Sequence, residues 1–368
     1  MRTKSVNRSV LFVQNRTHRA GAQTCLARLL RHEVIKSWNP VLVCSPGGWL
    51  ADECLRIGVP VIEEPFPHSR SLGGRLFGNA AFAKRVKKSL AARSIFPMVV
   101  QANDHQEGLL GLQLGKILGA RTAMFLRSPT MTHEDYRKYR CGEYGFISAV
   151  GDDFLHRVQS WESGREIALI RDGIYADEIL PPRSRSVACP ERILVIGSPL
   201  VWKGWADFIE ALYLLEREGS LRPTQFDFTG DKPNVAHNDL KLDRLSIAHC
   251  NFLGRVEGFR DLVLGYDLVI NPTRMETFGM AAVEVLAAGV PLLSSRTGVI
   301  ELVQKADTML FPPAQPAALA VAFKRVLLRW GEIDLGVTKA QAAVRKTLLI
   351  DVPARSLGDA YESLVRTA

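Results

Sequence analysis

Long apolar runs are missing from this sequence. No stretch approaches the roughly 18 apolar residues that span a bilayer. The run that follows Met1-Arg2-Thr3-Lys4 extends only from Val10 to Val13, short of the about 7–15 apolar residues of a secretory signal. A helical membrane protein is thereby excluded, and a cytoplasmic chain is expected. Cysteine is sparse, with six in 368 residues. None forms a C-x-x-C pair or a metal-ligand spacing, so a disulfide scaffold and a bound metal are not expected, and the thiols are expected to be free and buried. No short repeat and no RNA- or DNA-binding motif appears, which argues against a repeat array and against nucleic acid as a partner.

What is present suits two globular domains. A length of 368 residues is about twice the common domain size of roughly 100–200. An apolar share of 47% lets each half bury a core, and the 23% charged residues and 16 Phe argue against disorder. The net charge of +9 is unevenly placed. Residues 1–188 hold 27 Lys+Arg against 17 Asp+Glu, whereas residues 189–368 hold 20 against 21. The positive excess therefore sits in the first half and points to an anionic partner there.

Strand-like and helix-like segments alternate through the first half. Val10–Val13, Pro40–Cys44, Val59–Ile62, Met98–Gln101, Thr122–Leu126 and Gly145–Ala149 read as strands. Ala22–His32, a segment ending near Ile57, Phe82–Ala92 and Gly108–Leu118 read as helices. Pro181 to Ser186 lacks apolar periodicity and reads as a linker. The alternation then restarts, with strands at Arg192–Gly197, Phe226–Thr229, Asn251–Leu253, Leu268–Ile270 and Pro291–Leu293. Helices are expected at Trp205–Glu218, Met280–Ala288 and Pro316–Trp330. This order implies two doubly wound α/β domains built from parallel βαβ units, Rossmann-like, facing a central cleft. The expected domains are 1–185 and 186–350, with 351–368 as a C-terminal helix crossing back to the first.

Two strings carry chemistry. Pro272-Thr273-Arg274-Met275-Glu276-Thr277-Phe278-Gly279-Met280-Ala281-Ala282-Val283-Glu284 follows an apolar strand and opens a helix. Glu276 falls in the loop at the strand's carboxyl end, and Gly279 allows close backbone approach to a ligand. The unpaired N–H groups of the first helical turn make a seat for phosphate. Glu284, about one turn in, offers a carboxylate to both hydroxyls of a ribose. The second string, Gly197-Ser198-Pro199-Leu200-Val201-Trp202-Lys203-Gly204, places a lysine in a glycine-bounded loop at a strand's carboxyl end. There its ammonium can neutralise a diphosphate as a point charge.

In order along the second half, these strings resemble the family-4 glycosyltransferases, retaining enzymes of the GT-B fold. Ile196 to Gly204 resembles the family's glycine-to-lysine loop and Phe228-Thr229-Gly230-Asp231 its Gly-Asp strand end. Phe252-Leu253-Gly254-Arg255-Val256 resembles its Phe-Leu-Gly strand, and Asn271 to Glu284 its E-x7-E signature, extended by Ala288-Gly289-Val290-Pro291. Gly298 to Val303 resembles the following glycine loop. In the first half, Ala20-Gly21-Ala22-Gln23 is similar to a family loop near donor phosphate and acceptor. Asp172-Gly173-Ile174 is similar to a segment before the linker, and Leu357 to Val365, with Tyr361, to the returning helix.

The resemblance implies that Lys203 binds the donor diphosphate and Glu276 the donor sugar hydroxyls. It places backbone N–H groups of Phe278, Gly279 and Met280 around sugar and phosphate, Glu284 on the ribose and Glu301 beside the nucleotide pocket. Gly21, Gly197, Ser198 and Thr277 fall in the same donor-binding strings. The sequence departs from the family at two points. Ser198 stands where the family carries Arg, leaving Arg255, Arg274 or Arg296 to supply the lost charge. Arg127 stands where the family often has His. Arg127 is expected to meet an acidic donor sugar or an acceptor phosphate, and His105 is a second catalytic candidate of the first domain.

The implied activity is a metal-independent, retaining, nucleotide-sugar-dependent transfer of a hexose-like sugar to an acceptor hydroxyl, as in assembly of polysaccharide, lipopolysaccharide or glycolipid. No cofactor is expected. The basic stretch Phe82-Ala83-Lys84-Arg85-Val86-Lys87-Lys88-Ser89-Leu90, with Phe66, Arg70, Arg75, Leu76 and Phe77 nearby, suggests that residues 66–90 lie on an anionic membrane, with a lipid-linked or saccharide acceptor at the inner face. Two other readings compete: a nucleotide-sugar-binding protein with little transfer activity, and a sugar-nucleotide epimerase of related fold.

Overall fold

The computed structural model describes residues 8–67, 72–162, 164–181, 188–304 and 309–366, the side chains of 72–76 excepted. Of the expected linker, only Pro181 lies within these residues. Two compact units result: residues 1–174 with 350–368, and residues 175–349.

The first unit is built on a seven-stranded sheet of β1 (Val10–Gln14), β2 (Pro40–Cys44), β3 (Val61–Glu63), β4 (Val99–Ala102), β5 (Arg121–Leu126), β6 (Phe146–Ala149) and β7 (Ala168–Leu169). Its order is β3-β2-β1-β4-β5-β6-β7, and the paired strands all run parallel. Parallel sheets are covered on both faces, so their strands read as continuous apolar runs. Val10, Leu11, Phe12 and Val13 are accordingly all fully buried. The helices Gly21–Arg31, Leu72–Ala92, Gly108–Leu118 and Asp152–Gln159 cover the sheet.

The second unit repeats the scheme with β8 (Ile193–Val195), β9 (Thr224–Phe228), β10 (Ala248–Phe252), β11 (Leu268–Asn271), β12 (Leu292–Ser295) and β13 (Leu310–Phe311). Its order is β10-β9-β8-β11-β12-β13, again parallel. The core gathers Trp205, Phe208, Phe226, Phe228 and Phe323. The Trp205 and Phe228 rings meet edge-on with centroids 5.1 Å apart, a pairing worth about 0.5–1.5 kcal/mol beyond burial. Both sheets share one winding: the chain builds outward from a central strand, returns, and builds the other way. The reversals fall between β1 and β4 and between β8 and β11.

Most boundaries shift by one or two residues from the sequence reading, and two shift by more. β10 begins at Ala248 rather than Asn251, because it is an edge strand whose exposure alternates. The basic helix begins at Leu72, ten residues ahead of the expected Phe82.

Candidate functional site

Open α/β sheets bind ligands beyond the strand carboxyl ends, at the point where strand order reverses. In the second unit that point lies between β8 and β11, and the loops after these two strands meet there. Gly204 takes φ +71, and a Cβ at that position would stand 1.9 Å from the Pro272 carbonyl oxygen. No side chain fits such an approach. Across the contact, the Arg274 N–H donates to the Trp202 carbonyl at 2.8 Å, and the Thr273 hydroxyl to the same oxygen at 3.2 Å. A third loop, after β12, joins from the other side. The Ser295 hydroxyl donates to the Thr273 carbonyl at 2.5 Å and the Val299 N–H to the Phe278 carbonyl at 2.8 Å. Gly298, at φ +61, leaves 2.4 Å between a built Cβ and the Phe278 oxygen.

These three lashed loops present an ion pair. The Lys203 ammonium donates to a Glu276 carboxylate oxygen, with 23% and 17% of the two side chains exposed. Lys203 ends the loop after β8, and Glu276 lies in the loop after β11. The next turn sets Gly279 at φ +92 and opens the helix Met280–Ala287, which supplies Glu284, half-buried, one turn on. Thr277, Phe278 and Met280 are buried and anchor the loop. An ammonium, a carboxylate and the amino end of a helix thus stand together at the reversal of the sheet. This combination suits an anionic ligand that also carries hydroxyls.

Thr229, at the end of β9, closes the loop from behind. Its hydroxyl accepts from the Gly197 N–H at 2.9 Å and donates to the Gly197 carbonyl at 3.0 Å. Gly197 itself, at φ +140, would bring a Cβ to 2.9 Å from the Trp205 indole nitrogen. Ser198 follows it, half-buried.

The three arginines expected to stand in for a charge at Ser198 have different fates. Arg274 is bound to Asp207 through Nε and Nη2, both at 2.6 Å. Arg296 is bound to Glu301 at 2.7 Å, which also occupies the carboxylate expected beside the nucleotide pocket. Arg255, after β10, is exposed and has no hydrogen bond or ion pair among the described residues. The partners Asp207 and Thr229 were not singled out as functional from sequence. Asp207 lies 67 residues from Arg274, and no local pattern announces such a pairing.

In the first unit the sequence candidates converge at the carboxyl ends of β1, β4 and β5. Arg127 is 6% exposed, and its Nη1 donates to both Asp172 oxygens at 2.6 Å. Its Nε donates to Asn103 at 3.2 Å, and its guanidinium lies 4.5 Å from the Phe125 ring. Inside the unit, the charge of Arg127 is paired with Asp172. Removing either partner of such a buried pair typically costs about 3–5 kcal/mol. His105 is 4% exposed. Its Nδ1 lies 3.0 Å from Asp104 Oδ1, which also accepts the backbone N–H of His105 at 2.8 Å and of Arg127 at 3.1 Å. Glu107 is 3% exposed and accepts the Asn15 N–H at 3.0 Å on Oε1, while its Oε2 has no hydrogen-bond partner among the described residues. Burial, with the Asp104 charge adding to it, pushes the Glu107 carboxyl up to about 7. Gly21 opens the helix Gly21–Arg31 with no atom within 4 Å of a built Cβ, so crowding within the unit does not explain the glycine.

The basic helix packs its apolar side into the first unit. Phe82, Ala83, Val86 and Leu90 are buried in the core of the first unit, and Phe66 packs on Phe82 with centroids 4.7 Å apart. The apolar stripe Phe82, Ala83, Val86 and Leu90 is therefore covered by protein. Arg85 pairs with Glu64 at 2.8 Å, and Lys87 donates to the Ile117 carbonyl at 3.0 Å. Phe77 is 81% exposed. Arg70 and the side chains of Arg75 and Leu76 lie outside the described residues. Among the described residues no helix is long and apolar enough to cross a membrane. A hollow of about 440 Å³ lies among Ser9, Lys36, Pro40 and Arg93. It sits at the amino ends of β1 and β2, away from the edge that serves ligands in such sheets.

Residues 190–329 match the family described as glycosyl transferases group 1. The second unit therefore carries a domain of that group. A segment of 144 residues is 31% identical to the GDP-mannose-dependent alpha-(1-6)-phosphatidylinositol dimannoside mannosyltransferase of Mycobacterium tuberculosis, covering 39% of this chain and 37% of that protein. The chain thus matches little more than a third of this relative's length. Among solved structures, Anabaena HepE in complex with UDP and glucose aligns over 97% of this chain and 100% of its own, with TM-score 0.77 at 16% identity. The sucrose-phosphate synthase of Thermosynechococcus elongatus aligns over 98% and 100%, with TM-score 0.73 at 16% identity. The fold is that of the two-domain GT-B glycosyltransferases.

Proposed function

We propose that this chain is a retaining glycosyltransferase of family 4 that moves a sugar from a nucleoside diphosphate donor, held by the second unit, to an acceptor hydroxyl. The observation that carries this reading is the Lys203–Glu276 pair beside Gly279 at the reversal of the second sheet. Without ligand the two charges neutralise each other. A nucleotide sugar offers each a better partner: the diphosphate takes the ammonium, and the sugar hydroxyls donate to the carboxylate. Glu284 holds the ribose, and the first-turn amides after Gly279 receive a phosphate. As the glycosidic bond to the diphosphate breaks, negative charge grows on the leaving oxygen, and Lys203 and the amides stabilise it. The acceptor hydroxyl attacks from the same face, and its proton passes to the departing phosphate. The GDP-mannose-dependent relative and the UDP-glucose complex of HepE make those two donors the first to test. The basic excess of residues 1–188 favours an acceptor bearing phosphate or another anion.

Thermal unfolding in the presence of GDP, UDP, GDP-mannose and UDP-glucose tests donor binding, because a ligand bound only by the folded state raises the midpoint. One nucleotide is expected to raise it, and Glu284→Ala to abolish most of the shift. Lys203→Ala is expected to cut kcat about 10²–10³-fold, the usual effect of removing one group that stabilises developing charge. Product anomeric configuration, read by NMR, checks retention. Ser198 and the internal pairing of Arg274 favour one second reading, a nucleotide-sugar binder without transfer. Binding with no release of nucleoside diphosphate on any acceptor would select it.

A further inference from the structure

The loop that carries Glu276 is held by more than its own turn. Arg274 lies two residues before Glu276, and its backbone N–H reaches the carbonyl of Trp202, the residue before Lys203. Its guanidinium extends past Gly204 to Asp207, in the first turn of the helix Trp205–Arg217. Both bonds of that fork are 2.6 Å. Asp207 is 7% exposed and flanked by the buried Phe208, so its position is fixed by the core. Its Oδ2 lies 3.5 Å from a Cβ built on Gly204. Arg274, Asp207, Gly204 and Trp202 therefore form a closed ring around the contact of the two loops. Lys203 belongs to one of these loops and Glu276 to the other, and their side chains meet in the ion pair.

We infer that Asp207 and Arg274 are positioning residues that set the separation and orientation of Lys203 and Glu276 for donor cleavage. This rests on the donor-site reading above. The charge of Arg274 is spent on Asp207, so the pair adds no net charge to the diphosphate seat. Its contribution is geometric. A planar fork on a carboxylate fixes two distances and a plane, which an ammonium cannot do. Displacing a catalytic group by about 1 Å can cost on the order of 10²-fold in rate.

The test measures UDP and GDP affinity by calorimetry and turnover of UDP-glucose and GDP-mannose for five proteins: wild type, Asp207→Asn, Arg274→Ala, Arg274→Lys and the double variant Asp207→Asn/Arg274→Ala. Positioning predicts that both Asp207→Asn and Arg274→Ala lose about 10–100-fold in kcat. The double variant falls no further, since a broken ring cannot be broken twice. Arg274→Lys keeps the charge and the fold yet stays impaired. Added guanidinium at non-denaturing concentration restores Arg274→Ala in part, and methylammonium does not. Nucleoside diphosphate affinity changes less than threefold throughout. The inference is overturned if Arg274→Ala loses nucleotide affinity while Asp207→Asn keeps or gains it, because Arg274 then contacts the phosphate directly. Wild-type kcat in both single variants overturns it too, with the donor-site reading intact. If wild type neither binds a nucleoside diphosphate nor releases one, the donor-site reading fails and this inference falls with it.

Discussion

Glu107 is almost fully buried, its Oε1 accepts from the Asn15 N–H at 3.0 Å and the Gln14 side-chain amide at 3.5 Å, and its Oε2 has no hydrogen-bond partner among the described residues. Its proton is held to about pH 7, through burial first and the Asp104 charge second. The direction of the linkage follows. At pH below the ordinary carboxyl range, folded and unfolded forms are both protonated, and the contribution of Glu107 to stability is whole. As pH rises, the unfolded chain ionises first, near 4.5, and stability drains until the folded carboxyl also ionises near 7. The loss is on the order of 3 kcal/mol. Glu107→Gln cannot ionise and is expected to lack this decline. Chemical denaturation of both proteins from pH 4.5 to 7.5 should show two curves diverging as pH rises. Parallel curves would refute the assignment. Asp104 enhances the effect and His105 opposes it, and neither is altered by the substitution. Because Glu107 also holds the Asn15 N–H, and the Asn15 side chain accepts from the Ser45 hydroxyl at 2.7 Å, the loops after β1 and β2 share this buried group.

At the scale of elements, the second unit depends on how closely its loops approach. Gly298 has a positive φ and no room for a methyl beside the Phe278 carbonyl. Gly298→Ala is expected to push the loop after β12 off the Glu276 loop. The fold should lose about 1–3 kcal/mol from strain and overpacking, and nucleotide affinity should fall more than tenfold. Gly331→Ala is the control, since nothing lies within 4 Å of a Cβ there, and both properties should persist. Denaturation and calorimetry on the two variants decide the matter. This crowding also explains what could be read from sequence. Apolar runs announced most strands, and the glycine and glutamate spacing announced the loop between β11 and the helix Met280–Ala287, because those signals are local. β7 and β13, two residues each, are too short for any period. The helix Ile333–Thr347 buries Ile333, Val337, Ala340, Gln341 and Val344, a narrow stripe interrupted by a glutamine. The stripe of the basic helix was plain, but periodicity says only that a face is apolar. It does not say whether protein or lipid covers it, and here Phe66 and the first sheet do. The partners of Arg127 and Arg274 were hidden for a related reason, since each ion pair joins residues 45 or more apart.

For the molecule as a whole, the chain path makes the second unit an insertion into the first. The backbone leaves the first unit after Ile174 and returns at Ile350, whose N–H donates to the Ile174 carbonyl at 2.9 Å. The terminal helix Asp351–Arg366 then completes the first unit. Tyr361 is fully buried, stands edge-on to Trp38 with centroids 5.3 Å apart, and donates its hydroxyl to Gln101 Oε1 at 3.1 Å. Gly358 brings a built Cβ to 2.8 Å from Val34, so the helix lies tight against the segment Glu33–Lys36. A unit closed by its own last residues should be weakened from that end without harm to the inserted one. Tyr361→Ala is expected to cost the first unit about 3–5 kcal/mol, as other buried aromatic truncations do. Tyr361→Phe should cost about 1–3 kcal/mol, since it leaves the buried Gln101 oxygen without this donor. Nucleotide binding resides in the second unit on the reading above and Tyr361 in the first, so calorimetric affinity for the nucleoside diphosphate should stay within about twofold of wild type in both variants, as expected of sites that share no partners. Differential scanning calorimetry with and without nucleotide separates the outcomes. An early transition that moves with Tyr361 while the nucleotide-dependent one stays put supports the insertion. A single transition that falls as one would mean that the two units unfold together and that the terminal helix stabilises both.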